Sequence, residues 1–215
     1  METDESVDEP KDSPVSYVAA AIPANESGRL AALRAYCLLD TDPEQVFDDV
    51  TEIASLLCST PIALISLVDE ARQWFKSSVG LDVSETPRDV AFCAHAIVNP
   101  EEVFVVDDTH NDHRFALNPL VTGGPKVRYY AGAPLVSSDG QALGTLCVID
   151  HVPRQLGQRE LQGLKALARQ VVTQLEIRRH RLGAMAASEQ DRLTGAASRV
   201  AFDAHLFHEI GRAHV

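Results

Sequence analysis

The chain has 215 residues, 45% of them hydrophobic, which is enough for one domain of about 150 residues with a buried core and flanking segments. Its formal net charge is −12, from 31 acidic residues against 19 Lys and Arg, and its longest basic cluster covers only residues 178–181. This composition argues against a nucleic-acid partner, because binding DNA or RNA requires a basic surface.

The N-terminal residues 1–24 are predicted to form a disordered acidic tail. The first sixteen residues hold six acids and almost no large apolar side chain, so they bury too little to offset their ordering entropy. The apolar run at residues 17–22 is too short to span a bilayer or to serve as a signal core. We therefore expect no membrane association and a cytoplasmic location.

Two helices are predicted next. In the first, apolar residues recur at three- and four-residue steps behind Ser27 as the N-cap. In the second, Asp42 is the predicted cap and Pro43 the first helical residue. The predicted buried face of this second helix comprises Val46, Phe47, Val50, Ile53, Ala54 and Leu57.

Strand-like patterns then dominate. Residues 61–69 and 72–80 are closely joined and should pair as a hairpin, and further strands are predicted at 102–108, 127–138 and 142–150. Short helices are expected around 92–98 and 114–118, and a long helix starts near Leu156. This order predicts an α+β fold: a central antiparallel sheet with helices packed on it and a long C-terminal helix.

Five segments in order resemble bacterial GAF sensory domains, including "PIALISLVDEARQWFKSSVGL", "ETPRDVAFCAHAI" and "GTLCVIDHVPRQL". The resemblance covers residues 29–179, and we assign residues 25–179 to this domain. It implies a sheet with helices on both faces and a ligand pocket on one face. The implied function is a sensory module for a small molecule whose identity the sequence does not define.

A candidate pocket follows from the positions where polar atoms stand among apolar strand and helix residues. Its expected lining is Trp74, Cys93, His95, Tyr129 and Thr145. For His95 a structural hydrogen bond, a place in the pocket wall and ligation of haem or metal all remain open. Bilin-binding relatives usually carry Cys followed directly by His, whereas Ala94 intervenes here, so no covalent chromophore is expected. Among the roles of His95 the structural one is favoured over haem ligation, so no haem is expected either.

The four cysteines are dispersed without a C-x-x-C pair, so we expect buried reduced thiols. A short loop contains Asp107, Asp108, His110, Asp112 and His113, which superficially suggests metal ligands. A helix beginning near Arg114 and capped by Asp112 accounts for this loop more simply, so no metal site is expected.

The C-terminal helix carries an apolar ladder of three- and four-residue steps, typical of a two-helix seam. The ladder comprises Leu161, Leu164, Ala168, Val171, Leu175, Leu182 and Met185. It predicts a homodimer through this helix, with residues 180–190 as a linker helix weakened at Gly183. The alternative is that its first half packs on the domain's own sheet.

Residues 191–208 resemble the start of a GGDEF domain, the diguanylate cyclase family. The matching residues are Asp191, Leu193, Thr194, Gly195, Arg199 and Phe202. Ala196, Ser198 and Val200 depart from the usual pattern. The family's nucleotide-cradling turn and metal-binding acids are absent from these 215 residues, so the chain should have no catalytic residues, and its intact parent is expected to be a diguanylate cyclase.

Residues 209–215, "EIGRAHV", match one reading frame of a common sequencing adapter and are expected to be adapter read-through on a gene fragment. Two other functions remain open. One is a free-standing redox enzyme of the free methionine sulfoxide reductase type, which would need cysteines such as Cys93 and Cys147 to meet in the fold. The other is the GAF input of a histidine kinase.

Overall fold

The computed structural model describes residues 17–189, with side chains up to residue 184. The five helices of this range are α1 (Glu26–Ala35), α2 (Gln45–Cys58), α3 (Phe92–Ala96), α4 (Pro119–Thr122) and α5 (Gln158–Glu189). Its six strands are β1 (Ile62–Val68), β2 (Arg72–Val79), β3 (Glu85–Pro87), β4 (Phe104–Val106), β5 (Tyr129–Val136) and β6 (Ala142–Asp150).

The strands form a single antiparallel sheet in the order β3-β2-β1-β6-β5-β4. The predicted hairpin between the first two long strands is confirmed, with Leu67 opposite Trp74. Strand β6 is central because it pairs with β1 on one side and β5 on the other. The predicted α+β fold class, with helices on both faces of the sheet, is therefore confirmed.

Neighbouring residues of β6 point into two separate cores, as the two-residue period of a strand requires. Leu146 and Val148 face the core built with α1, α2 and α5, whereas Cys147 and Ile149 face the core built with α3 and the connecting segments. Both strands that flank β6 are buried nearly throughout. The sheet thus separates a helical layer from a layer made of short helices and loops.

The predicted starts of α1 and α2 were both wrong, for identifiable reasons. Helix α1 is capped by Asn25, whose side chain accepts from the Gly28 amide (3.3 Å), rather than by Ser27. Helix α2 begins at Gln45 rather than Pro43, since the Asp42 carbonyl is held outside the helix by the Lys76 ammonium (2.6 Å).

The buried face of α2 is also rotated from the predicted one. Phe47, Val50 and Ala54 are buried as expected, but so is Thr51, whose hydroxyl lies 2.7 Å from that of Ser77 on β2. The other three predicted core residues, Val46, Ile53 and Leu57, are exposed instead. A hydrogen bond to the sheet therefore selects a polar side chain for the inner face.

The segment between β4 and β5 differs from its prediction as well. Residues 114–118 form turns, and the helix that follows begins at Pro119 with Asn118 as its cap (2.8 Å to the Leu120 amide). The edge strand β3 was not predicted, because its three residues are half exposed and carry no apolar alternation.

Part of the predicted tail belongs to the folded domain. The Val18 amide donates to the Arg114 carbonyl (3.0 Å), and the His95 ring donates from Nε2 to the Val18 carbonyl (3.1 Å). A disordered assignment is therefore wrong for residues 17–24. The remaining tail, the segment Asp191 to Phe202 and residues 209–215 lie outside the described residues.

Candidate functional site

A cavity of about 420 Å³ lies on the side of the sheet that carries α3. Most of its wall is apolar, from Phe75, Phe92, Val127 and Ile149 among others. Its mouth is formed by the segment 82–87, where the lining residues Asp82, Val83, Glu85 and Pro87 are exposed. This volume is within the range that holds a small organic ligand.

Polar atoms meet at one end of the cavity. Gln73 on β2 donates from Nε2 to the Thr86 hydroxyl (2.7 Å) and accepts at Oε1 from Ser66 on β1 (3.3 Å). The wall next to them is formed by Cys93 and Tyr130. Because these groups are fixed by each other, a ligand would meet a preorganised set of donors and acceptors.

Two thiols lie in contact at this wall, which Cys93 itself helps to form. Cys93 Sγ on α3 is 3.9 Å from Cys147 Sγ on β6, although 54 residues separate them in the chain. Tyr130 donates from its hydroxyl to Cys93 Sγ (3.3 Å) and lies 3.4 Å from the Thr145 hydroxyl. Both cysteines are free, and both are buried.

This environment separates the acidities of the two thiols. Burial opposes ionisation of Cys93, but hydrogen bonds from Cys147, Ser66, Thr145 and Tyr130 outweigh it and lower the pKa of the Cys93 thiol. The hydrogen bond to Cys93, followed by burial, raises the pKa of the Cys147 thiol. Cys93 is therefore the better nucleophile of the pair.

The predicted pocket residues are not all brought together. Cys93 lines the cavity, and Thr145 contacts Tyr130 behind it. Trp74 and Tyr129 belong to the core on the opposite side of the sheet, against α2 and α5. The expected five-residue lining is therefore wrong for these two, because each points away from the face that its strand neighbour, Phe75 or Tyr130, presents to the cavity.

His95 is half buried and outside the cavity wall. Its ring lies edge-on to Phe115 with centroids 4.8 Å apart, and its Nε2 binds the Val18 carbonyl. Burial first, and then the Arg114 guanidinium, lower the pKa of His95. Of the three roles considered for His95, the structural hydrogen bond is the one observed.

The residues that sequence reasoning missed are Gln73, Thr86 and Tyr130. Gln73 and Tyr130 are each next to a bulky aromatic residue in the same strand, Trp74 and Tyr129 respectively. The predicted pocket included that aromatic neighbour instead. A buried Gln within an apolar strand was the available signal, since burying an amide side chain is costly without partners.

The Asp and His loop is held by internal ion pairs. Asp108 receives two hydrogen bonds from Arg128 (2.9 Å each), and Asp112 accepts from the backbone amide and guanidinium of Arg114. Within the described part of the chain, no group of three or more His, Cys, Asp or Glu residues is placed to hold a metal ion.

A larger groove of about 880 Å³ lies next to this loop. It is lined by His110, Lys126 and His151, which are exposed, and by Arg128, which is already paired with Asp108. It offers an open surface with no buried polar group directed into it by the described contacts. The less open and more apolar cavity beside Cys93 is therefore the stronger candidate site.

The residues of the predicted helix seam fall into two groups, one buried in the domain and one at least partly exposed. Leu164, Ala168, Val171 and Leu175 are buried in the domain's own core, so these four residues do not form a two-helix seam. Leu161 is half buried, and Leu182 is 37% exposed. Met185 is in α5, but its side chain lies outside the described range.

The GAF domain family matches residues 42–175, which is more than half of the chain. The chain therefore belongs to the GAF domain family. It is 44% identical over 154 residues to a cyclic di-GMP phosphodiesterase of Pseudomonas aeruginosa, a match that covers 71% of this chain and 26% of that protein. The chain thus spans about a quarter of the length of this relative.

Solved structures agree on the fold. The blue-light-absorbing form of the PixJ GAF domain of Thermosynechococcus elongatus aligns with a TM-score of 0.53 at 21% identity, over 77% of this chain and 96% of that one. The GAF domain of an Acinetobacter phosphoenolpyruvate-protein phosphotransferase aligns with a TM-score of 0.53 at 17% identity, over 70% and 92%. In residues 17–189, no helix is both long and apolar enough to cross a membrane.

Proposed function

We propose that this chain is the sensory input of a cyclic di-GMP signalling protein, in which the GAF domain binds a small molecule and α5 passes the signal to an output domain. The observation that carries this proposal is the mainly apolar cavity of about 420 Å³ on the sheet face opposite α5. The similarity to a cyclic di-GMP phosphodiesterase supports the signalling pathway.

The cavity favours a neutral or cationic ligand that is mainly apolar. No Lys, Arg or His is among its lining residues, and its mouth carries the acids Asp82 and Glu85. An anion would be repelled there without a compensating charge, whereas an amide or hydroxyl on the ligand can bond Gln73 or Tyr130. Cyclic nucleotides fit this charge pattern poorly.

We assign the output to a diguanylate cyclase domain. This finer assignment is supported by the residues from Asp191 to Phe202 that resemble the start of a GGDEF domain. The chain itself should make no cyclic di-GMP from GTP, because it lacks the family's metal-binding acids. Synthesis of cyclic di-GMP by the purified chain would contradict the expectation that the chain itself is inactive.

Dimerisation is proposed through a surface on α2 and α5 rather than through the whole predicted ladder. A shallow groove between these helices is lined by Val46, Ile177 and Leu182, which are 38%, 39% and 37% exposed. Leu56, which is 72% exposed, is a further exposed apolar residue of α2. A second copy of the chain would cover these side chains and place two output domains side by side.

The function is tested in the intact parent protein by changing the rotational phase of α5. Inserting one Ala after Gly183 turns everything beyond it by about 100°, and should uncouple ligand from cyclic di-GMP output. Inserting seven residues returns the phase to within about 20° and should preserve regulation. Equal regulation in both insertions would contradict transmission through the helix.

Ligand binding has a separate test. Small neutral and cationic compounds are screened by the shift in melting temperature of the chain, and hits are repeated on Gln73→Leu and on Trp74→Phe. Binding in the cavity should be weakened by the change at Gln73 and kept by the change at Trp74, which faces the other core. Binding that is kept in Gln73→Leu and weakened in Trp74→Phe would show that the ligand does not bind in this cavity.

A second candidate, the free methionine sulfoxide reductase, is favoured by the contact between Cys93 and Cys147. The fold brings together the two cysteines that this reaction would use. Turnover of free methionine sulfoxide with a thiol reductant, abolished by Cys93→Ser, would establish the enzyme. Inactivity of the wild-type chain would exclude it.

A further inference from the structure

We propose that Cys93 and Cys147 form a peroxide-sensitive dithiol, which closes to an intramolecular disulfide when a small hydroperoxide enters the cavity. This modification site does not depend on the cavity's ligand or on the nature of the output domain. It rests on three features: the contact between the thiols, the access to one of them, and the hydrogen bonds around it.

The first feature is proximity. The sulfur atoms lie 3.9 Å apart, and a disulfide requires about 2 Å. Cys147 is on the central strand β6, which is fixed by partners on both sides. Cys93 is on α3, a helix of five residues between loops, so the movement that closes the gap falls mainly on α3.

The second feature is access. Both thiols are buried, with exposures of 2% for Cys93 and 0% for Cys147, but Cys93 forms part of the cavity wall. The cavity reaches the surface between the exposed residues Asp82 and Glu85. A molecule the size of hydrogen peroxide can therefore approach Cys93 through the cavity.

The third feature is the hydrogen bonding of Cys93. The Tyr130 hydroxyl donates to its sulfur at 3.3 Å, and the hydroxyls of Ser66 and Thr145 also stabilise its anion. A thiolate is the form that attacks a peroxide, so these donors favour reaction at Cys93. The hydrogen bond to Cys93, followed by burial, raises the pKa of the Cys147 thiol, and Cys147 is not among the residues that line the cavity.

The chemistry balances with a hydroperoxide as the oxidant. The Cys93 thiolate attacks one peroxide oxygen, the O–O bond breaks, and the leaving oxygen takes a proton to become water when the oxidant is hydrogen peroxide. The product is a sulfenic acid on Cys93. Cys147 sulfur then attacks Cys93 sulfur, the S–O bond breaks, and hydroxide leaves as water with the Cys147 proton. Two thiols are oxidised and one peroxide is reduced to two water molecules.

Closure should change the cavity. Cys93 would move toward the sheet and give up the hydrogen bond from Tyr130, and the adjacent Phe92 would follow. Phe92 lines the cavity and stacks on Phe115 with centroids 4.2 Å apart. Oxidation would therefore alter the shape that a ligand meets, which links redox state to sensing.

The experiment uses the full chain and hydrogen peroxide as the probe. After oxidation, remaining thiols are blocked with N-ethylmaleimide under denaturing conditions and the chain is digested with trypsin. Arg114, Lys126 and Arg128 lie between the two cysteines, so a disulfide is detected as two linked peptides. We expect this linked pair, a loss of two of the four thiols, and a mass lower by about 2 Da.

The variants separate the steps. Cys147→Ser should abolish the linked peptides and leave a sulfenic acid on Cys93 that dimedone traps, whereas Cys58→Ser, which changes another buried thiol, should keep the link. Cys37→Ser removes the exposed thiol and should also keep it. Absence of the linked peptides in the wild-type chain, or their formation only after unfolding, would overturn the proposal without needing any variant to fold.

Discussion

Arg88 Nη1 lies 2.6 Å from Glu26 Oε1, which joins the segment before α3 to the first turn of α1 across 62 residues. Glu26 also accepts two hydrogen bonds from Arg29, at 2.9 and 2.7 Å. The Arg29 hydrogen bonds, with those of Arg88, lower the pKa of Glu26 to about 2. One carboxylate therefore serves two buried guanidinium groups.

Glu26→Gln should destabilise the fold at neutral pH, because it leaves both arginines without their anion. The pKa of Glu26 is lower in the folded chain than its ordinary 4.5, so its contribution of up to roughly 3 kcal/mol is present above pH 4.5 and is lost as pH falls toward 2. Urea unfolding between pH 7 and pH 3 should show the gap between variant and wild type narrowing at the acidic end.

The control for that series is Glu52→Gln, which removes one carboxylate from an exposed position on α2. It should change the free energy of unfolding by less than about 0.5 kcal/mol at pH 7. A gap for Glu26→Gln that stays constant with pH would contradict the ion-pair explanation.

Tyr130→Phe and Tyr129→Phe should differ although the residues are adjacent. The Tyr130 hydroxyl binds Cys93 and Thr145, so its removal should cost about 1 kcal/mol and raise the pKa of the Cys93 thiol. The Tyr129 hydroxyl is buried and has no hydrogen-bond partner among residues 17–189, so its removal should be neutral or stabilising. Thermal unfolding and thiolate absorbance titration measure the two effects. Equal costs would show that the Tyr130 contacts contribute nothing.

Leu175→Ala and Leu182→Ala distinguish packing within the domain from packing between copies. Leu175 is 1% exposed in the core, so its truncation should cost about 2–5 kcal/mol of stability. Leu182 is 37% exposed, so its truncation should leave the stability of the isolated domain nearly unchanged and weaken the proposed dimer. Denaturation and sedimentation equilibrium give the two readouts. If Leu182→Ala leaves the dimer dissociation constant unchanged, Leu182 is not part of the interface.

Gly144→Ala and Gly183→Ala should have opposite effects on the stability of the fold. A Cβ on Gly144 would lie 1.9 Å from the Ser66 carbonyl oxygen, so β1 and β6 would have to separate. A Cβ on Gly183 meets nothing within 4 Å, and Ala is favoured over Gly in a helix by about 1 kcal/mol. Circular dichroism melts should show a lower midpoint for the first and an unchanged or higher one for the second. A tolerated Gly144→Ala would mean that the two strands can move apart.

The fold was largely predictable because its strands are long and strongly apolar. The runs that became β1, β5 and β6 are buried nearly throughout, and their order with the helices leaves few arrangements. The start of α2 was not predictable, since it depends on a Lys76 contact that only the assembled fold supplies. The Asn25 cap of α1 is a local contact with Gly28, three residues further on, so the sequence did contain its signal.

The site was harder to predict because adjacent strand residues face opposite layers. Tyr129 and Tyr130 lie on opposite faces of the sheet, so predicting the wrong one of the two places the site on the wrong face. The same holds for Trp74 and Phe75. The correct choice depends on register, and the β1–β2 register shifts between Ile65 and Ser66. Cys93 is on a short helix rather than on a strand, so its position in the cavity wall does not depend on strand register.

The sheet's two-sidedness has a consequence for how such a protein can diversify. Residues that shape the cavity lie on one face, whereas Leu164, Val171 and Leu175 of α5 pack on the other. Mutations that change the shape of the cavity therefore leave the packing of α5 on the sheet untouched. The chemical preference of the cavity can thus change during evolution without rebuilding the core that holds α5.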